Sequence, residues 1–318
     1  MAYQTRRLAP ADHTSLTLHQ WLPDDEPCSA LVLVCHGMAE HAARYAPLSQ
    51  QLNQAGYAVL ALDQRGHGQS AEGQMLGHFA DREGWNKVTD DLALLLGEAQ
   101  ALMPGKPVFM LGHSMGSYIV QGFLLRHSAQ LAGVILSGSN AHPTALSRFG
   151  RAAATLEGRL RGFAQPALSM AKLSFGQFNR AFRPARTEFD WLSRDAEQVD
   201  RYIADPLCGF PCSARLWQDL FSGLLHIADP RELSRLPSDL SIHIIGGSAD
   251  PVSAGGGLHK LQKRLQDAGL SQVSLQLYDG ARHEILNETN RDQVMQDLIA
   301  WLETHNPATQ TETPDVQA

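Results

Sequence analysis

Cysteine is scarce in this chain: Cys28, Cys35, Cys208 and Cys212 are the four among 318 residues. They are too few and too scattered for a disulfide framework, so reduced structural thiols are expected. Cys208 and Cys212 lie four apart, yet no further Cys or His follows at ligand spacing, and no metal site is expected there. Long apolar runs are missing as well. Nothing approaches the ~18 consecutive apolar residues of a membrane span, and no apolar stretch follows Arg6 and Arg7 as a secretory signal requires. The expected location is therefore the cytoplasm. Positive charge is also in deficit: the formal net charge of -7 argues against a nucleic-acid partner, which would need a basic surface.

What is present is 43% hydrophobic, enough to bury a full core in one large domain or a domain with an insertion. Short apolar runs at 31–35, 57–62, 108–111, 134–136, 242–245 and 273–277 read as strands. Several are continuously apolar, as strands buried on both faces are. Helix-compatible periodicity fills 45–54, 85–102, 117–127, 258–268 and 291–303, so the expected fold is α/β, a mainly parallel sheet with helices on both faces. The alternating stretch 14–21 reads as an antiparallel edge strand. The strand–helix rhythm stops after Ser139. We expect core at 1–139, a helical cap inserted at 140–229 over the carboxyl edge of the sheet, core again at 230–305, and a disordered tail at 306–318.

The motif that carries chemistry is Gly112-His113-Ser114-Met115-Gly116, lodged between the run 107–111 and a helical stretch. A Gly-x-Ser-x-Gly at a strand-to-helix junction is a nucleophile elbow, with glycines where no side chain fits and the serine hydroxyl thrust into the open. Serine needs a base within hydrogen-bond reach and an acid to fix that base. Asp250 follows the strand 242–245 and His283 follows the strand 273–277, which puts all three groups at one edge in the order Ser, Asp, His. Asp279 is nearer His283 in sequence, but four residues within one turn is awkward for orienting an imidazole from behind. His113 is expected to point away from Ser114 and pack under the elbow. The oxyanion of a tetrahedral intermediate would be met by the backbone amide of Met115, at a helix start, and by that of Met38, in the loop after the run 31–34. The chemistry needs no metal and no organic cofactor.

Together these segments resemble the monoacylglycerol lipase and lysophospholipase group of α/β-hydrolases, in its bacterial form. The resemblance runs through His36-Gly37-Met38-Ala39-Glu40-His41 with Arg44-Tyr45, Asp63-Gln64-Arg65-Gly66-His67-Gly68-Gln69-Ser70, the elbow, Ser248-Ala249-Asp250-Pro251 and Arg282-His283-Glu284. It implies Ser114 as nucleophile, Asp250 as acid, His283 as base and the Met38 and Met115 amides as oxyanion hole, and it fades in the cap. We read Asp63 and Arg65 as ties between loops rather than a phosphate loop, and Glu40 and His41 as loop braces.

The cap supplies what positive charge there is. Between Arg148 and Arg186 lie eight basic residues (Arg148, Arg151, Arg159, Arg161, Lys172, Arg180, Arg183, Arg186) against Glu157 alone, so this stretch is +7 and the rest of the chain -14. With its flanks it holds Phe149, Phe163, Phe175, Phe178, Phe182 and Phe189. This pattern suits a lid that touches an anionic membrane surface or a lysophospholipid head group while its aromatics line an acyl tunnel; the alternative is a solvated basic face. The expected function is a serine esterase acting on a fatty-acyl ester, a monoacylglycerol or a lysophospholipid, with transient contact at the inner face of the membrane. A proline-iminopeptidase-like activity would need cap acids such as Glu188, Asp190, Asp195 or Glu197 to hold an amino terminus. A non-catalytic binding module would show a broken triad. Enzymes with an aspartate nucleophile are excluded by Ser114. Oligomeric state is not written in the sequence.

Overall fold

Strands apolar at every position need cover on both faces, and the architecture supplies it. The computed structural model describes residues 2–24, 28–254 and 256–310. The expected runs become β3 (Ala30–Cys35), β4 (Tyr57–Leu62), β5 (Val108–His113), β6 (Gly133–Ser137), β7 (Ile242–Gly247) and β8 (Val273–Tyr278). They follow β1 (Ala2–Leu8) and β2 (Leu16–Leu22) into one sheet of order β1-β2-β4-β3-β5-β6-β7-β8. Pairing is parallel from β4 across to β8 and antiparallel at β1–β2 and β2–β4.

Alternate residues feed two cores. Leu31, Leu33 and Cys35 point to one face, where α2 (Gly84–Leu102), α3 (Met115–His127) and α9 (Gly257–Asp267) pack; Ala30, Val32 and Val34 point to the other, beneath α1 (Ala46–Gln54) and α10 (Arg291–His305). Because β3 to β7 are buried at every position, a one-residue slip would exchange the two cores.

Two expectations at the amino end are corrected. The alternating stretch 14–21 is not an edge: β2 lies between β1 and β4, and Thr17, His19 and Gln20 are buried. The edge is β1, whose polar side chains hid it and whose Arg6 and Arg7 pair outward with Glu98 and Glu72. Charged, polar side chains on an edge discourage further strand pairing. Arg65 and Asp63 do tie loops. Arg65 bonds Asp91, Asp12 and Thr14, while Asp63 accepts from the amides of Ala42 and Gln69.

Between β6 and β7 the chain leaves the sheet and forms α4 (Thr144–Arg161), α5 (Leu168–Phe178), α6 (Ala196–Ala204), α7 (Ala214–His226) and α8 (Pro230–Leu233), with one isolated bridge, Pro166 to Ser213. Helix α4 turns its small side to the protein, burying Ser147, Gly150, Ala154 and Gly158. A Cβ on Gly150 would lie 2.4 Å from the Phe221 ring. The large residues consequently face out: Leu146, Phe149, Leu156 and Leu160 are 56%, 69%, 59% and 76% exposed. At the carboxyl end, Asn306 is buried and Pro307–Gln310 form a helical turn, so the expected disorder does not begin at 306; residues 311–318 lie outside the described residues. No described helix is long and apolar enough to cross a membrane.

Candidate active site

The end of β5 sets the site. Ser114 has φ 51° and ψ -121°, a left-handed conformation that L-residues avoid and that costs about 1–3 kcal/mol unless the surroundings enforce it. Here they do. A Cβ on Gly116 would fall 2.1 Å from the Cys35 carbonyl oxygen, and one on Gly112 would fall 2.7 Å from the Gly116 carbonyl oxygen. The chain can therefore turn this tightly only with glycine at both positions. The Ser114 amide donates to the Ser137 carbonyl at 2.9 Å, and the Ser117 amide returns to the Ser114 carbonyl at 2.9 Å, which starts α3 directly behind the serine.

Three loops converge on that hydroxyl. His283 Nε2 lies 2.8 Å from Ser114 Oγ, and its Nδ1 lies 3.0 Å from Asp250 Oδ2. The structure thus brings together Ser114, Asp250 and His283 from the ends of β5, β7 and β8. Asp279 is elsewhere: its carboxylate accepts from Ser248 Oγ. His113 points under the elbow, its Nδ1 3.1 Å from Ser137 Oγ. Burial, then the neighbouring His283, push His113 down to about 4, so it is neutral near pH 7. His283 is also buried, which disfavours its charge, but the Asp250 carboxylate against Nδ1 outweighs burial and raises it above its ordinary value. An imidazole held this way binds a proton more tightly than a free one.

The loop 36–41 lies alongside. A Cβ on Gly37 would be 3.2 Å from the Ser114 Cβ, so the segment carrying the Met38 amide borders the serine. Among the described residues that amide makes no backbone hydrogen bond. The Met115 amide, as first residue of α3, has no partner inside the helix.

Sequence reasoning named the motif residues around these groups without foreseeing how they join. Arg44, 13% exposed at its side chain, clamps Glu284 with both Nη atoms at 2.8 and 2.7 Å and holds Glu40 at 2.6 Å. Glu40 in turn accepts from the Gly37 amide at 2.6 Å and from Tyr45 Oη at 3.0 Å. Trp191, from the excursion between β6 and β7, was not singled out either; its ring sits 5.1 Å from that of His283. Tyr202 Oη and the Gly209 amide both donate to the Ala39 carbonyl, each at 2.9 Å. Of the six phenylalanines expected to line a tunnel, Phe175 and Phe189 reach the pocket beside Ser114, Phe163 lies under Arg215, and Phe149 faces solvent. One described group has the donor types of a metal site, His41, Asp205 and Cys208, with ligand atoms within 4.8 Å of one another. His41 Nε2 already bonds Asp205 at 2.9 Å, which is the bracing role expected of His41.

A protein-family model described as serine aminopeptidase, S33, matches residues 26–290. The chain belongs to that α/β-hydrolase family. Among relatives, a monoacylglycerol lipase of Mycolicibacterium smegmatis is 30% identical over 289 residues, 90% of this chain and 91% of its own. A monoglyceride lipase of Homo sapiens is 28% identical over 311 residues, 96% of this chain and 93% of its own. Among solved structures, a thermostable carboxyl esterase from Bacillus coagulans, in complex with glycerol, superposes with a TM-score of 0.87 at 28% identity, covering 96% of this chain and 99% of that one. The fold expected of the S33 chain, a mainly parallel sheet flanked by helices, is the one observed.

A pH profile follows from the position of His283. A protonated imidazole cannot accept the Ser114 proton, so fluorophosphonate labelling of Ser114 should be slow in acid, rise through a midpoint above 6.5, and level off beyond it. Asp250→Asn removes the charge that raises His283; the midpoint should move down and the plateau should fall by roughly 10³–10⁴. A flat wild-type profile, or an unmoved midpoint in the variant, would contradict the reading.

Proposed function

We propose that this carboxylic ester hydrolase cleaves the fatty-acyl ester of a small polar alcohol, a monoacylglycerol or a lysophospholipid, through an acyl-enzyme on Ser114. The observation that carries the proposal is the line from Asp250 through His283 to Ser114, with separations of 3.0 and 2.8 Å. Ser114 Oγ attacks the ester carbonyl as His283 Nε2 takes its proton. The Met38 and Met115 amides receive the oxyanion, aided by the positive end of α3. On collapse His283 returns the proton to the departing alkoxide; water then enters and repeats the sequence in reverse roles to free the fatty acid and Ser114. Asp250 fixes the imidazole and offsets its charge. Segment 140–229 acts as the cap, with Trp191 over His283.

Substrate class is supported by the lipase relatives and by the glycerol in the esterase neighbour. The family description also names a peptidase, which would need free cap acids. Asp190 accepts from Arg186 and Thr187, Asp195 caps α6 and pairs with Arg291, and Glu197 pairs with Arg201. Glu188 is the one of the four lining a groove, which favours the ester. Hydrolysis of a panel of monoacylglycerols, lysophospholipids, short p-nitrophenyl esters and prolyl amides tests the choice. Long-chain acyl esters should be turned over and prolyl amides not, with Ser114→Ala inactive on all; a prolyl-amide preference would overturn it.

We further propose that the cap docks on anionic membrane surfaces at the inner face, from the cytoplasm. The exposed face of α4 combines Leu146, Phe149, Leu156 and Leu160 with Arg148, Arg151, Arg159 and Arg161, all outward. Apolar side chains that enter the headgroup boundary beside arginines fit an anionic lipid surface. In flotation at low salt the protein should rise with vesicles containing anionic lipid, and Phe149→Ser with Leu160→Ser should release it. Equal recovery with and without vesicles would sink the idea.

A further inference from the structure

The cationic residues of segment 140–229 and of the loop and helix that pack beside it look alike in sequence but fall into separate groups in space. Arg186 ends on Asp200, Arg194 on Glu288, Arg201 on Glu197 and Arg291 on Asp195. Arg282 is tied to the carbonyls of Asp190 and Ser193 and lies over the Phe182 ring. The α4 arginines face outward with the apolar stripe. Lys172, Arg180 and Arg183, also exposed, belong to neither group. Among the described residues none of them meets a carboxylate at salt-bridge distance, and all three line one groove of about 880 Å³.

That groove adjoins the space beside Ser114. Phe175, Phe189 and Gly209 line both it and the pocket of about 30 Å³ that contains Ser114, Met38 and His283. The small pocket is too tight for a whole substrate, and the groove is the neighbouring space large enough for the remainder. Its apolar lining includes Leu173, Phe175, Phe189 and Phe210, and its charged lining is three cations against the single acid Glu188. A hydrocarbon chain gains from such apolar walls but nothing from unpaired cations. An amphiphile carrying an anionic group uses both. Two of the cations are arginines, whose planar forks match phosphate oxygens two at a time.

We propose that Lys172, Arg180 and Arg183 form a phosphate-binding subsite, so that the preferred substrates are lysophospholipids with an anionic head rather than uncharged monoacylglycerols. The subsite rests on the reading of Ser114 as the nucleophile of an acyl-ester hydrolase. It acts on the substrate itself and so is distinct from docking through α4.

The test uses short-chain substrates below their micelle concentration, so that no lipid surface is present. Decanoyl lysophosphatidic acid and monodecanoylglycerol offer the same acyl ester with and without a phosphate. The intact protein should favour the phosphate substrate in kcat/KM. Lys172→Gln/Arg180→Gln/Arg183→Gln should lose about tenfold or more on it, as the loss of a charge-assisted hydrogen bond implies, and stay within about twofold on the uncharged ester. Equal losses on both, or none, would overturn the subsite. A second measurement does not depend on turnover: calorimetric binding of a non-hydrolysable ether analogue of the lysophosphatidic acid to Ser114→Ala, which the three substitutions should weaken by a similar factor. Unchanged binding would also overturn it, as would inorganic phosphate competing as strongly as the ether lipid, since the site would then not be one for a lipid head. Binding of the ether analogue through the three cations without hydrolysis of either ester would support the subsite while refuting the esterase reading.

Discussion

The left-handed turn at Ser114 is the constraint on which the rest depends. It is held by glycine at 112 and 116, because the start of α3 passes so close to the end of β3 that any Cβ at 116 would enter the Cys35 carbonyl. That closeness comes from the parallel pairing of β3 with β5, which sets Cys35 opposite Gly112. The same pairing delivers the loop after β3, with Met38, to the side of the serine. Ser114 and the Met38 and Met115 amides are thus positioned by sheet register rather than by flexible side chains, and in the proposed reaction that limits reorganisation as charge develops.

A second structure of charges fixes the loops that the sheet does not. Arg44 joins Glu40, on the Met38 loop, to Glu284, on the His283 loop. Burial opposes ionisation of Glu40, but Arg44 and then the nearby histidines prevail and hold it down at about 2. The pair of carboxylates adds to the negative potential that raises His283. Removing Arg44 would leave two buried acids without a counterion, the costly way to break a buried ion pair. The excursion between β6 and β7 is linked to the same loop through Tyr202, Gly209 and the Ala39 carbonyl. A displacement of α6 would therefore bear on the Met38 loop.

Much of this was legible in sequence, for identifiable reasons. Strands β3 to β7 are buried on both faces and so are written as unbroken apolar runs; β1, polar and at an edge, carries no such mark, and β2 was misplaced for want of it. The convergence of Ser114, Asp250 and His283 was legible because each follows a strand and their order matches one topology. The segment between β6 and β7 resisted because its helices follow no sheet periodicity. Nothing in the apolar spacing of Leu146, Leu156 and Leu160 marks them as outward, because the buried side of α4 is made of the small residues Gly150, Ala154 and Gly158. Arg183 and Arg186 differ only in what stands opposite them, and Asp200 meets the second alone. Pairing is a property of the fold.

The central claim is that chemistry passes through a covalent bond to Ser114, and trapping that bond tests it most directly. Rapid acid quench during turnover of a long-chain acyl ester, followed by proteolysis and peptide mass spectrometry, should place the mass of one acyl group on the peptide containing Ser114. The adduct should appear within the first turnover and vanish as substrate is exhausted. Steady hydrolysis with no acylated peptide at any quench time, or with the acyl group on another residue, would contradict the account.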